Sequence, residues 1–393
     1  MIIGIPKEIY PGERRVAMVP ASIPALKKAG CEVLIESGAG VAAGFPDGGY
    51  TEKGASLAPS GAEVFQRADV VLRVLWHGAN DRTGREDLPL IRKDQVLIGF
   101  VRPLGSPDTV KEITATGATI FAVELIPRIT RAQGMDAMSA MATIAGYKAA
   151  ILAADSLPRF FPMLTTAAGT ITPARVLVMG AGVAGLQAIS TVRRLGAVAS
   201  GYDVRPAARE QILSVGGRAV DLGLETGQAE DKGGYAKAQD ESFLRRQREA
   251  MKRVVAESDV AITTAVVPGK RAPILITAEM VEAMAPGSVI IDLAAERGGN
   301  CELTHPNETA VEHGVTILGP LNLAGTVPYH ASLMMARTLS AFVLNIVKDG
   351  KLTLDMNDEI TREALLAKGG EIANARVREL MAEESKGAGK ASA

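Results

Sequence analysis

The sequence predicts an α/β protein built of two doubly wound parallel sheets in series. Three observations carry this. Short apolar runs (Ile2–Ile5, Glu32–Glu36, Asp69–Leu75) recur through the N-terminal part with helical stretches between them. A further run, Arg175–Met179, passes straight into Gly180, Gly182 and Gly185 and then into an amphipathic helix. The alternation then resumes, through Ala197–Tyr202, Asp259–Ala265 and Ser288–Ala294.

Taken in order, Ile2–Ile5 is expected to be a strand, and Ser22–Lys28 lies in a helix that stops at Gly30. Glu32–Glu36 is the next strand, Gly61–Arg67 a helix, and Asp69–Leu75 a largely buried strand. Gln95–Phe100 and Thr119–Glu124 complete the first sheet, and Asp155–Ala174 links it to the second. After the glycine turn a helix runs through Arg194. Gly227–Ala238 is polar and glycine-rich, the composition of a surface loop or lid, and Phe243–Glu257 is a charged helix. A long apolar helix spans Ala331–Val347, its Met334 and Met335 read as core filler, and a linker-like tail follows.

Composition narrows the function. At 393 residues, 47% apolar and 22% charged, the chain has the make-up of a globular protein of two or three domains. A net charge of −1 argues against nucleic acid or a membrane surface as partner, since either calls for a basic footprint. Cys31 and Cys301 make neither a disulfide framework nor a metal-ligand spacing, so no metal is expected and a reducing interior is. Met1–Glu8 already reads as strand and turn, so no signal peptide is expected. The apolar stretches at 137–154 and 331–347 are interrupted by Lys148 and Arg337, and neither is expected to cross a membrane.

The glycines carry the chemistry. G-x-G-x-x-G between a strand and a helix is a dinucleotide fingerprint. Gly180 allows a tight turn, Gly182 lets backbone amides approach a pyrophosphate, and Gly185 lets the helix lie close to its strand. Val183 and Ala184 supply backbone at the positive end of that helix. Asp203, roughly 20 residues on and at the end of the next strand, can accept from both ribose hydroxyls of an adenosine and would repel a 2′-phosphate, which favours NAD over NADP. Val204, next to it, is a further cofactor-binding candidate, and Arg205 could pair with such a phosphate. Thr264 and Ala265 end another strand, offering a hydroxyl and backbone groups to a nicotinamide ribose. Asp292 reads as a second strand-end acid or a cap, and Cys301 as packed.

Arg128, Arg131, Gln133, Asp136 and Ser139 form a polar loop where the two sheets join. Gln133 offers an amide to a carboxamide or ribose, and Arg128 offers a rigid fork that Asp136 could fix. The stretches 127–139, 167–170, 180–185, 233–236, 262–270 and 292–300 closely resemble the NAD(H)-binding subunit of proton-translocating transhydrogenases, over Met1 to about Ile346. Alanine dehydrogenases are relatives. The resemblance implies two Rossmann-like domains with a cofactor cleft between them. It implies a nicotinamide site lined by Arg128, Gln133, Asp136 and Ser139, and a lid around Gly234 and Tyr235 that closes over bound nucleotide. It implies NAD(H) bound here and NADP(H) on a partner subunit. Hydride would pass directly between NADH and NADP⁺, coupled to proton translocation by other subunits. The partners would be a membrane-spanning alpha-2 chain and an NADP(H)-binding beta chain, with this chain a homodimer, cytoplasmic and peripheral on the inner face of the membrane.

The resemblance implies a first domain of residues 1–136 plus 328–378, an NAD(H)-binding domain of 137–327, and a flexible tail of 379–393. The dehydrogenase alternative is weakened by two positions. Alanine dehydrogenases use a lysine where this chain has Leu75 and a histidine where it has Arg102, although Arg15 matches a substrate-binding arginine of that group. Arg73 is the cation nearest Leu75. His77, His305, His313 and His330 fall in no matching motif and read as surface or capping residues. Met141, Thr143 and Ala324-Gly325 depart from the transhydrogenase pattern, the first two where amides are common. A catalytically idle NAD-sensing module is the third reading.

Overall fold

The structure, a computed structural model, describes residues 1–224, 239–267 and 269–382. The chain divides into two compact units, residues 1–141 with 325–393 and residues 142–324, and the first division falls inside the helix Ala137–Ser156.

In the first unit, β1 (Ile2–Ile5), β2 (Glu32–Glu36), β3 (Ser56–Ala58), β4 (Val70–Leu75), β5 (Val96–Phe100) and β6 (Thr119–Ala122) pair in parallel in the order β3-β2-β1-β4-β5-β6. This is the doubly wound order that reverses between β1 and β4. The strands read as apolar runs because both faces are covered: Ile3, Val71, Leu97, Ile98 and Ile120 are almost fully buried.

In the second unit a short hairpin of β7 (Leu164–Thr166) and β8 (Gly169–Ile171) precedes β9 (Arg175–Met179) and β10 (Val198–Tyr202). Then come β11 (Arg218–Ala219), β12 (Val260–Thr263), β13 (Val289–Asp292), β14 (Thr309–Glu312) and β15 (Val315–Leu318). The sheet order is β11-β10-β9-β12-β13-β15-β14, parallel except for β14. Alternation along the strands separates two cores. Val176, Val178, Ile262 and Ile291 pack on one face with Ala149, Ala150 and Ala153 of the helix Ala137–Ser156. Leu177, Met179, Ala261 and Ile290 pack on the other with Met251, Val255 and Met280. The expected pair of parallel sheets is present.

The chain then returns to the first unit. The helix Pro328–Ile346 buries Met335, Leu339 and Phe342, as the core-filler reading expects, whereas Met334 is only half-buried. The ribbon of β16 (Val347–Lys348) and β17 (Lys351–Leu352) leads to β18 (Leu365–Lys368) and β19 (Glu371–Ile372). β18 adds antiparallel to β6, and β19 antiparallel to β18, at the edge of the first sheet. Neither they nor the hairpin at 164–171 is anticipated from the sequence, because such short strands carry no clear period-2 signal. Residues 375–382 are helical; the lid stretch 227–238 and the tail beyond 382 lie outside the described residues. Among the described residues one helix, Ala137–Ser156, is long and apolar enough to cross a membrane by length and composition, and nearly half of it is buried inside the protein.

Candidate functional site

The strand order of the second sheet reverses between β9 and β12, and the glycine turn sits at that point. Gly180 has φ +99°, a conformation that a side chain disfavours, and its N–H donates to the Tyr202 carbonyl at 2.8 Å. A Cβ on Gly180 would lie 2.5 Å from the Thr264 hydroxyl, and one on Gly185 would lie 1.8 Å from the Gly180 carbonyl oxygen. Both positions are closed to any larger residue. Gly182 is different: a Cβ there would meet nothing within 4 Å, so its backbone borders open space. Val183, Ala184 and Gly185 open the helix Val183–Arg194, whose first amides have no intrahelical acceptor. The turn is therefore pressed against protein on two sides and open on the third, which is what a phosphate-binding turn requires.

One contact escapes the sequence reading. Gly146, on the helix Ala137–Ser156, lets that helix come so close to the fingerprint that an added Cβ would sit 2.0 Å from the Ala184 carbonyl oxygen.

The end of β12 is held by two buried residues. The Thr264 hydroxyl donates to the Gly180 carbonyl at 3.0 Å. Asn300, fully buried, accepts from the Ala265 N–H at 2.9 Å and donates to the carbonyls of Ala265 and Pro273, each at 2.8 Å. Asp292, also fully buried, accepts from the Thr263 hydroxyl, the Thr304 hydroxyl and the N–H groups of Ala294, Asn300 and Cys301, at 2.7 to 3.0 Å. Every oxygen of this carboxylate is used inside the protein, so Asp292 braces the strand ends and has no capacity left for a ligand. Burial pushes the Cys301 thiol up to about 11, in line with a packed cysteine.

Asp203 and Arg205 line a cavity of about 220 Å³ with Tyr202, Ile212, Val220 and Leu222. Asp203 is not open, as its expected role would have it. Arg205 donates from Nε to Oδ1 at 2.9 Å and from Nη2 to Oδ2 at 3.0 Å, and the Ala181 N–H donates to Oδ2 at 2.7 Å. Val204 is partly buried against the core beside them.

The other predicted site residues belong to the first unit. Thr130–Met135 forms a turn of 3-10 helix on which Gln133 is exposed, as is Arg128 just before it. Asp136 accepts from the Ser139 N–H at 2.8 Å and from its hydroxyl at 2.6 Å, capping the helix Ala137–Ser156. Arg131 is paired with Asp358. Gly234 and Tyr235 lie outside the described residues.

The residues bearing on dehydrogenase chemistry are committed elsewhere. Arg15 is gripped by Glu13, Nε to Oε1 at 2.8 Å and Nη2 to Oε2 at 2.6 Å, and its Nη1 donates to the Met141 sulfur at 3.3 Å. Arg73 is 2% exposed and pairs with Asp87 at 2.8 Å. Leu75 ends β4 with no acid or base to offer. His77 corrects the surface reading: it is 5% exposed, and its Nε2 lies 2.8 Å from Glu112. Among the described residues no cluster of three or more histidine, cysteine or acidic side chains could hold a metal.

Comparison with known proteins places this geometry. Residues 4–145 match the model of the alanine dehydrogenase/PNT N-terminal domain, and residues 149–375 match the C-terminal domain. The chain is 45% identical over 377 residues to the first of the alpha-subunit parts of NAD(P) transhydrogenase from Rhodospirillum rubrum, covering 95% of this chain and 97% of that one. A crystal structure of transhydrogenase from Sinorhizobium meliloti superimposes with TM-score 0.81 at 38% identity, over 96% of this chain and 100% of that one. An L-alanine dehydrogenase superimposes with TM-score 0.80 at 26% identity, over 98% and 99%.

Proposed function

The chain belongs to the alanine dehydrogenase/PNT family, and within it we propose that this protein is the NAD(H)-binding alpha subunit of a proton-translocating transhydrogenase. The observation that carries the nucleotide reading is the fingerprint turn, closed to side chains at Gly180 and Gly185 and open at Gly182. It fits a pyrophosphate over Gly180–Gly185, with the adenosine ribose at Asp203. Thr264 and Ala265, held by Gly180 and Asn300, would meet the nicotinamide ribose. By the family motif, Arg128, Gln133, Asp136 and Ser139 orient the nicotinamide, and Gly234 and Tyr235 close over it.

When bound, the nicotinamide supplies the hydride chemistry. This chain's contribution is to bind, orient and exclude water, which suits a reaction between two nicotinamides that needs juxtaposition and no side-chain acid or base. NADP(H) is held by the beta subunit, and alpha-2 with beta carries the proton across the membrane. The chain acts as a homodimer, peripheral on the cytoplasmic face, in an enzyme of Re/Si specificity. The occupied states of Arg15 and Arg73 support this over amino-acid oxidation, which needs free cations for a substrate carboxylate.

The test mixes the purified chain with a separately made NADP(H)-binding domain and follows NADPH-dependent reduction of an NAD⁺ analogue, with alanine plus NAD⁺ as control. Rapid exchange that falls sharply in Gln133→Asn, with no alanine activity, is expected. Alanine oxidation by the chain alone would overturn the proposal in favour of a dehydrogenase. Nucleotide binding with neither activity would make it an NAD sensor.

A further inference from the structure

Resting on the nucleotide reading above, we propose that Arg205 is a specificity-determining residue: its guanidinium masks Asp203 and so sets how strictly the site rejects a ribose 2′-phosphate. An acid at the end of the second strand discriminates by accepting from the ribose diol and repelling a phosphate. That holds for a carboxylate whose oxygens and charge are available, and those of Asp203 are not. Its Oδ1 accepts from the Arg205 N–H at 2.9 Å and from Nε at 2.9 Å, while its Oδ2 accepts from Arg205 Nη2 at 3.0 Å and from the Ala181 N–H at 2.7 Å. The two side chains are only 13% and 7% exposed, so the pair is poorly screened and its charges largely cancel.

Two consequences follow. A ribose diol has to displace guanidinium N–H groups before it reaches the carboxylate, so Arg205 competes with the unphosphorylated ribose. Being two residues from Asp203 and on the wall of the same cavity, the displaced guanidinium stays beside the ribose, where it offsets the repulsion a 2′-phosphate would feel. Arg209, on the same cavity, is paired with Asp221 at 2.8 Å, so both of these acids carry an arginine partner. Specificity is the difference between two affinities, and Arg205 narrows it from both sides.

The experiment titrates the full chain and its Arg205→Ala and Arg205→Lys variants with 5′-AMP and with adenosine 2′,5′-bisphosphate by calorimetry. These probes lack nicotinamide, so the readout is independent of hydride transfer, and a thermal melt checks the fold of each variant. In Arg205→Ala the preference for 5′-AMP over the bisphosphate is expected to rise about tenfold or more, with 5′-AMP binding unchanged or tighter. Arg205→Lys, which keeps the charge but loses the fork, should fall between. A preference within twofold of wild type in Arg205→Ala, or equal weakening of both probes, would overturn the proposal while leaving the nucleotide site standing. Failure of the wild-type chain to bind either probe would overturn the nucleotide reading and this inference with it.

Discussion

The two sheets share the same doubly wound strand order and treat the place where it reverses in opposite ways. In the second unit the turn after β9 is glycine, and its backbone faces open space at Gly182. In the first unit β1 runs on through Pro6 and Lys7 to Glu8. The Glu8 carboxylate accepts from the Val74 N–H at 2.7 Å and the Leu75 N–H at 3.2 Å, the amides at the end of the neighbouring strand β4. An internal carboxylate thus takes up at one sheet what a ligand's phosphate is proposed to take up at the other. Topology supplies a crevice; whether it is a site depends on the few residues that enter it.

The sharpest way to break this comparison is at the glycines. In Gly185→Ala the new Cβ would sit 1.8 Å from a backbone oxygen, with no flexible side chain to yield, so a loss of about 3 kcal/mol or more, or failure to fold, is expected in a urea melt. In Gly182→Ala the new Cβ meets nothing and the backbone (φ −75°) suits any residue, so stability should stay within about 0.5 kcal/mol while NADH affinity falls about tenfold or more. Equal loss of stability at both positions would show that the turn is merely tightly packed.

The first unit is tested through its buried charges. Arg73 is 2% exposed and Asp87 4%, and Arg73→Met would leave the acid buried without its partner. A loss of about 3 kcal/mol is expected, largely recovered in Arg73→Met with Asp87→Leu, and NADH binding should not change in either. A double variant as unstable as the single one would mean that the seat of the guanidinium over the Phe65 and Trp76 rings matters more than its pairing with Asp87.

How far these features are legible in the sequence depends on the separation of the partners. The fingerprint can be read because each glycine's role is set by residues a few positions away. Asp203 and Arg205 are both visible as candidate ligand groups, but nothing in their spacing tells that they satisfy each other. The bracing by Asp292 and Asn300 joins residues up to 35 positions apart, so Asp292 reads as a second strand-end acid and Asn300 as part of a turn. Gly146 reads as one more small residue in an apolar stretch until the helix is laid against Ala184. His77 misleads because a lone histidine carries no sign in the sequence of Glu112, 35 positions on, with which it pairs.

A smaller effect separates the units by pH. Burial pushes the Glu8 carboxyl up to about 7 despite nearby Arg73, and burial likewise pushes Glu124 up to about 7 against hydrogen bonds from Arg102 and Val101. A carboxyl raised in the folded state holds its proton there while the unfolded chain has lost it. Its stabilising contribution is therefore full below about 4.5 and is lost as pH rises through about 7. Wild type minus Glu8→Gln should thus fall by about 2 kcal/mol between about pH 5.5 and about pH 7.5 in paired melts. A flat difference would mean that Glu8 titrates alike in the folded and unfolded chain, its two backbone donors offsetting its burial.

The smallest expected effect concerns the loop that carries Gln133. Arg131 is 57% exposed and is paired with Asp358, which also accepts from Asn345 and Thr361 and caps the helix Glu359–Ala364. Burial tends to raise the Asp358 carboxyl, and the hydrogen bonds from Arg131, Asn345 and Thr361 outweigh it, holding the group well below the usual range. Since an exposed partner contributes little and the remaining donors stay in place, Arg131→Ala should cost less than about 1 kcal/mol and leave NADH affinity unchanged. Gln133→Ala, two residues away and exposed, should do the reverse: no change in melting, a clear loss in hydride exchange. If Arg131→Ala instead abolished exchange with the melt intact, the arginine would belong with Gln133 at the nicotinamide, and its pairing with Asp358 would be a resting state that the nucleotide breaks.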